Sequence, residues 1–256
     1  MTELDRRGAL ILGTSVMLSG VAAGAAQAAA PALEPEAATT LRALSATLAA
    51  MPRRRDFRAR PMIPDNPDLW DDAPLQALLA YKGGPRQVWD NTDLTGPWLN
   101  LMRNSLNSQV WGFRKPDFLC VSATHGPAHL ALYDQASWDK YQLAKIAGGS
   151  VAGNSFLGTA PARDAGDFQS PEGVYAPRGG NTIAVLQERG AVFLACHNAI
   201  WELASRLDGA GHNPDRLGVP EIAAELANHL VPGVVLTPGA VATVVHLQEH
   251  GFAYAR

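Results

Sequence analysis

Short apolar runs alternate with amphipathic segments along the last third of the chain. Residues 191–195 form a continuous apolar run, which predicts a strand buried on both sides of a sheet. Residues 196–207 follow with Ile200, Leu203 and Leu207 at helical spacing, which predicts a helix with one apolar face. The other elements predicted here are a short helix from Ile183 to Gly190, a helix over 221–230, a strand over 234–236, a helix capped by Thr237-Pro238 and a strand over 252–256.

The same alternation begins near Arg86. A short strand over 87–90 precedes Thr95-Gly96-Pro97, a helix start with proline in the first turn. Residues 117–123 form another apolar strand, which ends at His125-Gly126-Pro127. Strands and helices that alternate at this spacing predict the α/β class, with a mainly parallel sheet and helices on both faces.

Two stretches do not follow this pattern. Residues 31–72 contain Pro, Ala and a cluster of five arginines (Arg53, Arg54, Arg55, Arg58 and Arg60), with a helix predicted from Thr39 to Met51, and residues 148–180 are rich in Gly, Pro, Ser and Asp, which predicts a long inserted loop. For the arginines we favour a solvated face, or an arm that packs on a partner subunit, over a nucleic-acid patch. We therefore divide the chain into a signal peptide over 1–28, a partly helical N-terminal arm over 29–80, and an α/β domain over 81–256 with an insertion at about 148–180.

The N-terminus has the pattern of an export signal. Arg6 and Arg7 precede the charge-free stretch from Gly8 to Ala30, and Ala26-Gln27-Ala28 predicts cleavage after Ala28, which leaves 228 residues. The paired arginines favour the twin-arginine route, although Sec export stays open. An uncleaved anchor is the other alternative, because about 20 apolar residues can span a bilayer. Abundant Ala and Gly make this stretch weakly hydrophobic, so we expect a periplasmic protein with no membrane association after cleavage.

Composition removes several function classes. A formal net charge of −3 argues against nucleic acid as a partner. Two cysteines are too few for a disulfide scaffold in an oxidising compartment. The sequence contains no nucleophilic serine motif, P-loop or dinucleotide-binding fingerprint, so we predict no cofactor.

Cys196 is the first candidate catalytic residue. It follows a buried strand and begins a helix, so the positive end of the helix dipole should favour its thiolate form. A thiolate attacks sulfur electrophiles and can carry a persulfide. An inert buried thiol is an equally open reading of the same position. Cys120 lies in the middle of a strand, where a structural thiol is expected.

Histidines supply the second candidate. His125 ends the strand over 117–123, so its imidazole could reach the same edge of the sheet as Cys196. His129 could pair with His125 on a metal ion, but two histidines without a third ligand do not predict a metal site. His197 could tune the adjacent thiol, although neighbouring side chains on a helix point apart.

The stretch from Asn181 to Asn198, Leu230-Val231-Pro232-Gly233-Val234, and Val241 to Tyr254 together resemble the DsrE-like family of sulfur-relay proteins. The strand that ends in His125-Gly126 fits the family's second strand. This resemblance implies a three-layer α/β/α domain that self-associates and places Cys196 where sulfur-carrying members hold their reactive cysteine. We take Cys196 and His125 as candidate catalytic residues and His197, Asn198 and Gly126 as candidate binding residues.

Two hypotheses follow. In the first, the protein is a periplasmic sulfurtransferase or sulfur carrier, in which Cys196 holds the persulfide and His125 orients or polarises the sulfur. Its partners would be a small sulfur species or a sulfur-carrier protein, and it would form a homo-oligomer. In the second, it is a noncatalytic oligomeric binding module with a structural Cys196.

Overall fold

A five-stranded parallel sheet forms the centre of the protein in a computed structural model that describes residues 33–158 and 164–256. Its strands lie in the order β4-β3-β2-β1-β5, and every neighbouring pair is parallel. The strands are β1 (Arg86–Asn91), β2 (Leu119–Thr124), β3 (Val192–Cys196), β4 (Val235–Thr237) and β5 (Ala253–Ala255). The predicted α/β class and mainly parallel sheet are confirmed.

Helices cover both faces of the sheet, which gives three layers. The helices are α1 (Thr39–Ala50), α2 (Asp72–Leu79), α3 (Trp98–Asn107), α4 (Gln135–Lys140), α5 (Leu143–Ile146), α6 (Pro177–Gly180), α7 (Ile183–Glu188), α8 (His197–Gly209), α9 (Val219–Asn228) and α10 (Ala240–Glu249), with a 3-10 helix over Gly126–Leu132. One core joins α1, α2 and α10 to one face, and a second core joins α3, α8 and α9 to the other.

Strands β2 and β3 are buried at every position, which explains why all of their residues except Ser122 and Thr124 are apolar. Successive side chains alternate between the two cores: Phe193 and Ala195 belong to the core of α3, α8 and α9, whereas Leu194 and Cys196 belong to the core of α1, α2 and α10. The period-2 alternation therefore decides on which face each cysteine lies.

The segment before α2 closes the β4 edge of the sheet. The backbone N–H of Asp71 donates to the carbonyl of Leu236 at 2.9 Å, and the Asp71 carboxylate accepts the Leu236 N–H at 2.7 Å. Arg55 donates to the same carboxylate at 2.8 and 3.1 Å. This contact pairs backbone groups that an edge strand would otherwise leave free.

The arginine cluster is solvated only in part: Arg54 and Arg58 are exposed, as expected, but the other three arginines are covered. Arg60 is 1% exposed and packs over Phe57, and Arg53 and Arg55 lie beside Asp71 of the same chain. Asp71 therefore neutralises Arg53 and Arg55, and the ring of Phe57 covers Arg60.

Several boundaries differ from the predicted ones. Thr237 does not cap the last helix: it is the final residue of β4, its hydroxyl donates to the carbonyl of Ala195, and Gly239 is the N-cap of α10. The sequence pattern did not predict α2, α4 and α5. The predicted insertion has no helix or strand over 148–158 and 164–176, and α6 ends it.

The predicted signal peptide, with Arg6, Arg7 and Ala26-Gln27-Ala28, lies outside the described residues. The described residues, 33–158 and 164–256, belong to one compact unit, so the part of the arm that the structure describes belongs to the α/β domain. None of the helices in residues 33–158 and 164–256 is long and apolar enough to cross a membrane.

Replacement of Asp71 tests the closure of the β4 edge. Asp71→Ala leaves the buried Leu236 N–H and the Arg55 guanidinium without their acceptor, so the free energy of unfolding should fall by about 3 kcal/mol. Asp68→Ala removes an exposed carboxylate three positions earlier and should change it by less than about 0.5 kcal/mol. Urea unfolding followed by tryptophan fluorescence measures both, and equal effects would show that the contact at Asp71 does not stabilise the edge.

Candidate functional site

A cavity of about 610 Å³ opens beyond the carboxyl ends of β1, β2 and β3. Its wall comes from the loop after β1, the start of the 3-10 helix after β2, the end of α5 with the segment after it, and α8 between Ala199 and Arg206. In parallel α/β sheets, ligands bind at this edge because strand ends and helix N-termini meet there. The cavity is therefore a candidate ligand-binding site.

Gly126 forms part of this wall and has a positive φ of 55°. Glycine adopts this left-handed conformation without the strain that other residues pay. The turn directs the chain from the end of β2 into the 3-10 helix, which carries His129 and Leu130 to the cavity. The candidate binding residue Gly126 thus lines the cavity.

His129 connects the cavity wall to Cys196. Its side chain is 2% exposed, and its Nε2 accepts the backbone N–H of Cys196 at 3.0 Å. Burial, with a smaller contribution from His125, lowers the pKa of His129 to about 3. The ring is therefore neutral with its proton on Nδ1, and this Nδ1–H has no hydrogen-bond partner among the described residues.

Cys196 lies at the beginning of two helices. It is the N-cap residue of α8, and its Sγ accepts the backbone N–H of Ala240, the first residue of α10, at 3.3 Å. The positive ends of both helix dipoles are thus close to the sulfur. Cys196 is a free thiol, only 4% exposed, and it is not among the residues that line the cavity.

Cys120 is also a free, buried thiol, but it lies in a different environment from Cys196. It is fully buried in the middle of β2, on the face of α3 and α8, and burial raises the pKa of its thiol to about 12. The two cysteines point into opposite cores and form no disulfide. Cys120 therefore has the environment of a structural thiol.

His125 lies at the same sheet edge as Cys196, but its side chain forms a hydrogen bond with Asp90 and not with Cys196. β2 and β3 are neighbours with Thr124 opposite Ala195, so His125 and Cys196 occupy adjacent positions in the register. The Nε2 of His125 donates to Asp90 at 2.6 Å, and the hydroxyl of Tyr254 donates to the other carboxylate oxygen at 2.8 Å. This group of Asp90, His125 and Tyr254 joins the ends of β1, β2 and β5.

The charge state of Asp90 follows from these contacts. Burial by itself raises the pKa of this carboxyl, but the hydrogen bonds from His125 and Tyr254 outweigh burial and lower the pKa overall. Asp90 is thus a carboxylate that holds the His125 ring at the end of β2.

The other two candidate binding residues lie away from the cavity wall. His197 is fully buried: its Nδ1 accepts from Arg60, and its Nε2 donates to the carbonyl of Met62 at 3.1 Å. Burial and then the charge of Arg60 lower the pKa of His197. Asn198 is exposed, with its side chain beside Gly239. Neither side chain donates a hydrogen bond to Cys196 in the part of the chain that the structure describes.

The sequence analysis did not single out Asp90 or Tyr254, and it considered His129 only as a metal ligand. Asp90 ends a predicted strand, which is a usable signal for a residue at the carboxyl edge. In residues 33–158 and 164–256, no group of three or more His, Cys, Asp or Glu side chains could hold a metal ion.

The pH dependence of stability tests the buried neutral state of His129. Because its folded pKa of about 3 lies below the ordinary 6.5, the unfolded chain takes up the proton first as pH falls. This stabilisation is complete above 6.5 and is lost as pH falls toward 3, so it should contribute a decrease of about 2 kcal/mol between pH 7 and pH 5.

In His129→Gln, whose amide oxygen can still accept the Cys196 N–H, this part of the decrease should disappear. Urea unfolding at the two pH values measures it, with exposed His250→Gln as the matched control. A decrease of the same size in His129→Gln and the wild type would contradict a neutral, buried His129.

Comparison of the whole chain with family models, curated proteins and solved structures found no match. The function is therefore argued from the geometry of this site and from the sequence resemblance.

Proposed function

We propose that this protein is a periplasmic, DsrE-like sulfur-handling protein in which Cys196 carries sulfane sulfur as a persulfide. The observation that supports this proposal is the environment of the Cys196 Sγ. The sulfur accepts the N–H of Ala240 at the start of α10, and Cys196 itself begins α8. Helix N-termini favour the thiolate, which is the form that attacks sulfur electrophiles.

The proposed loading step is a thiol exchange. The Cys196 thiolate attacks the terminal sulfur of a donor RS–SH, a new S–S bond forms at Sγ, and the donor's S–S bond breaks. The donor leaves as RS⁻ and Cys196 becomes Cys–S–SH, so the step needs no external oxidant. A small polysulfide or the persulfide of a sulfur-carrier protein supplies this chemistry.

Access to Cys196 requires local movement, because the residue is 4% exposed. Ala240 covers the sulfur, so displacement of the first turn of α10 would open a path. His125 enters this proposal as a positioning residue: Asp90 holds its ring at the end of the strand next to Cys196.

A noncatalytic binding module is the second candidate function. Two observations favour it: Cys196 is buried, and it does not line the cavity. In this case the hydrogen bond from the Ala240 N–H to the Cys196 Sγ only stabilises the packing of α10 on β3. Reaction of the native protein with an alkylating agent separates the candidates, because a structural Cys196 is labelled only after denaturation.

Localisation and assembly complete the proposal. The paired arginines Arg6-Arg7, the apolar stretch after them and Ala26-Gln27-Ala28 support export and cleavage after Ala28. Homo-oligomer formation is supported by the family resemblance and by a low content of charged residues, 18%.

Persulfide formation is the direct test of the sulfur-carrier proposal. With inorganic polysulfide as donor, peptide mass spectrometry should find one added sulfur atom on Cys196 of the native protein. Cys196→Ser should lose it and Cys120→Ala, the matched control, should keep it, because burial raises the pKa of the Cys120 thiol to about 12. His125→Ala should slow loading without preventing it. Sulfur on neither cysteine, or on both equally, would leave the binding module as the better reading.

Export can be tested with the arginine pair. Replacement of both Arg6 and Arg7 by lysine should stop export through the twin-arginine route, since that route reads the arginines themselves. Cell fractionation measures the distribution, and the intact mass of the wild-type periplasmic protein should correspond to a chain that begins at Ala29. Unchanged export of the lysine variant would assign the signal to the Sec route.

A further inference from the structure

Residues 57–63, here called the strap, contain no helix or strand and run along α9. Near the end of α9, the Phe57 N–H donates to the Asn228 side-chain oxygen at 3.0 Å, and the Asn228 side-chain nitrogen donates to the Phe57 carbonyl at 2.8 Å. Near its beginning, the N–H of Arg60 donates to the carbonyl of Pro220 at 3.0 Å. The strap is therefore held on α9 by three hydrogen bonds that involve its backbone.

A single imidazole holds the other end of the strap. The Nδ1 of His197, the first residue of α8, accepts from Arg60, at 3.2 Å from Nε and 2.9 Å from Nη2. Its Nε2 donates to the carbonyl of Met62 at 3.1 Å. A guanidinium has donors but no acceptor, so Nδ1 must be free of a proton for these contacts to form. The strap thus depends on a neutral His197 ring in one tautomer.

The surroundings of the ring do not favour a positive charge. His197 is fully buried, and Arg60 is 1% exposed. Among the described residues, Arg60 supplies the charge that acts on the ring, whereas the carbonyls of Met62 and Pro61 face it as neutral acceptors. Burial and then the charge of Arg60 lower the pKa of His197. A proton on Nδ1 would remove the acceptor of Arg60 and place two positive charges side by side in a buried site.

The groups around Arg60 do not offset this repulsion. Arg54 and Arg55 add positive charge, and Asp71 is the carboxylate that opposes them. Asp71 already accepts hydrogen bonds from Arg55 and from the backbone of β4. The strap can therefore accommodate a charged His197 only if the strap moves away from the ring.

We infer that the contact between Arg60 and His197 is a pH-sensitive latch, and that protonation of His197 in mildly acidic solution releases the strap from the beginnings of α8 and α9. In the released form the ring is in water, where it takes up a proton more readily, so acid favours this form. The inference does not depend on a persulfide at Cys196. Release of the strap and loading of sulfur can succeed or fail independently.

Amide hydrogen exchange followed by NMR measures the release in the wild-type protein. After correction for the intrinsic exchange rate, the opening equilibrium at the N–H groups of Phe57 and Arg60 should rise about tenfold from pH 7 to pH 5. An ordinary histidine pKa of 6.5 in the open form limits the rise to about 25-fold. The N–H of Arg42, which bonds to the carbonyl of Ala38 at the start of α1, is the internal control and should change less.

Two variants separate the latch from other titrating groups. His197→Asn keeps an acceptor near the position of Nδ1 but cannot take up a proton, so opening of its strap should be the same at both pH values. His250→Asn, at an exposed histidine, is the matched control and should respond as the wild type does. Arg60→Met removes the guanidinium, so the His197 signal of isotope-labelled protein should titrate at a higher pH than in the wild type.

Each measurement has a result that overturns the inference. Equal opening of the wild-type strap at pH 7 and pH 5 would show that acid does not release it, and this comparison decides the inference even where a variant fails to fold. A pH response of the wild-type size in His197→Asn would assign the effect to another group. An unchanged His197 titration in Arg60→Met would show that Arg60 does not form the latch.

Discussion

The parallel direction of all five strands is the constraint on which the rest of the structure depends. Because the strands are parallel, their carboxyl ends meet at one edge, and that edge collects the polar ends of otherwise apolar strands. The strand interiors have room for polar groups only when these satisfy one another, as Asn91, Ser122 and Thr124 do in a buried hydrogen-bonded chain. Chemistry in this fold is thus confined to one edge, where Cys196, the Asp90–His125 pair and the cavity lie.

A single hydrogen bond joins the cavity to the cysteine. The His129 ring accepts the amide of Cys196 through Nε2 and forms part of the cavity wall. A proton on Nε2 would break this bond, so the bond and the low pKa of the ring support each other. The His129 ring therefore contacts the backbone of Cys196 and belongs to the cavity wall, although Cys196 itself is not part of that wall.

The sequence pattern predicts the strands of the sheet, but it does not predict which polar side chains form hydrogen bonds with one another at the edge of the sheet. Strands buried on both faces have unbroken apolar runs, so β3 was predicted within one residue of its observed bounds. The partners of polar side chains depend instead on contacts far apart in sequence, such as His125 with Asp90, 35 positions away, and Arg60 with His197, 137 positions away. The same reason explains the errors at Thr237 and the arginine cluster: a distant carbonyl or carboxylate decided the role of each side chain.

Burial of Cys196 and reactivity of Cys196 are compatible in this fold. The sulfur is covered by the first turn of α10, where Ala240 donates to Sγ and the hydroxyl of Thr243 donates to the carbonyl of Gly239. Local opening of this helix end would expose the thiol without loss of the sheet, because local opening involves fewer contacts than global unfolding. In the oxidising periplasm that we propose for this protein, such a cover would limit uncontrolled oxidation of a free thiol. Cys120 has no comparable opening, because β2 lies between two other strands at the centre of the sheet. The difference between the two cysteines is therefore a difference in what must move to reach them.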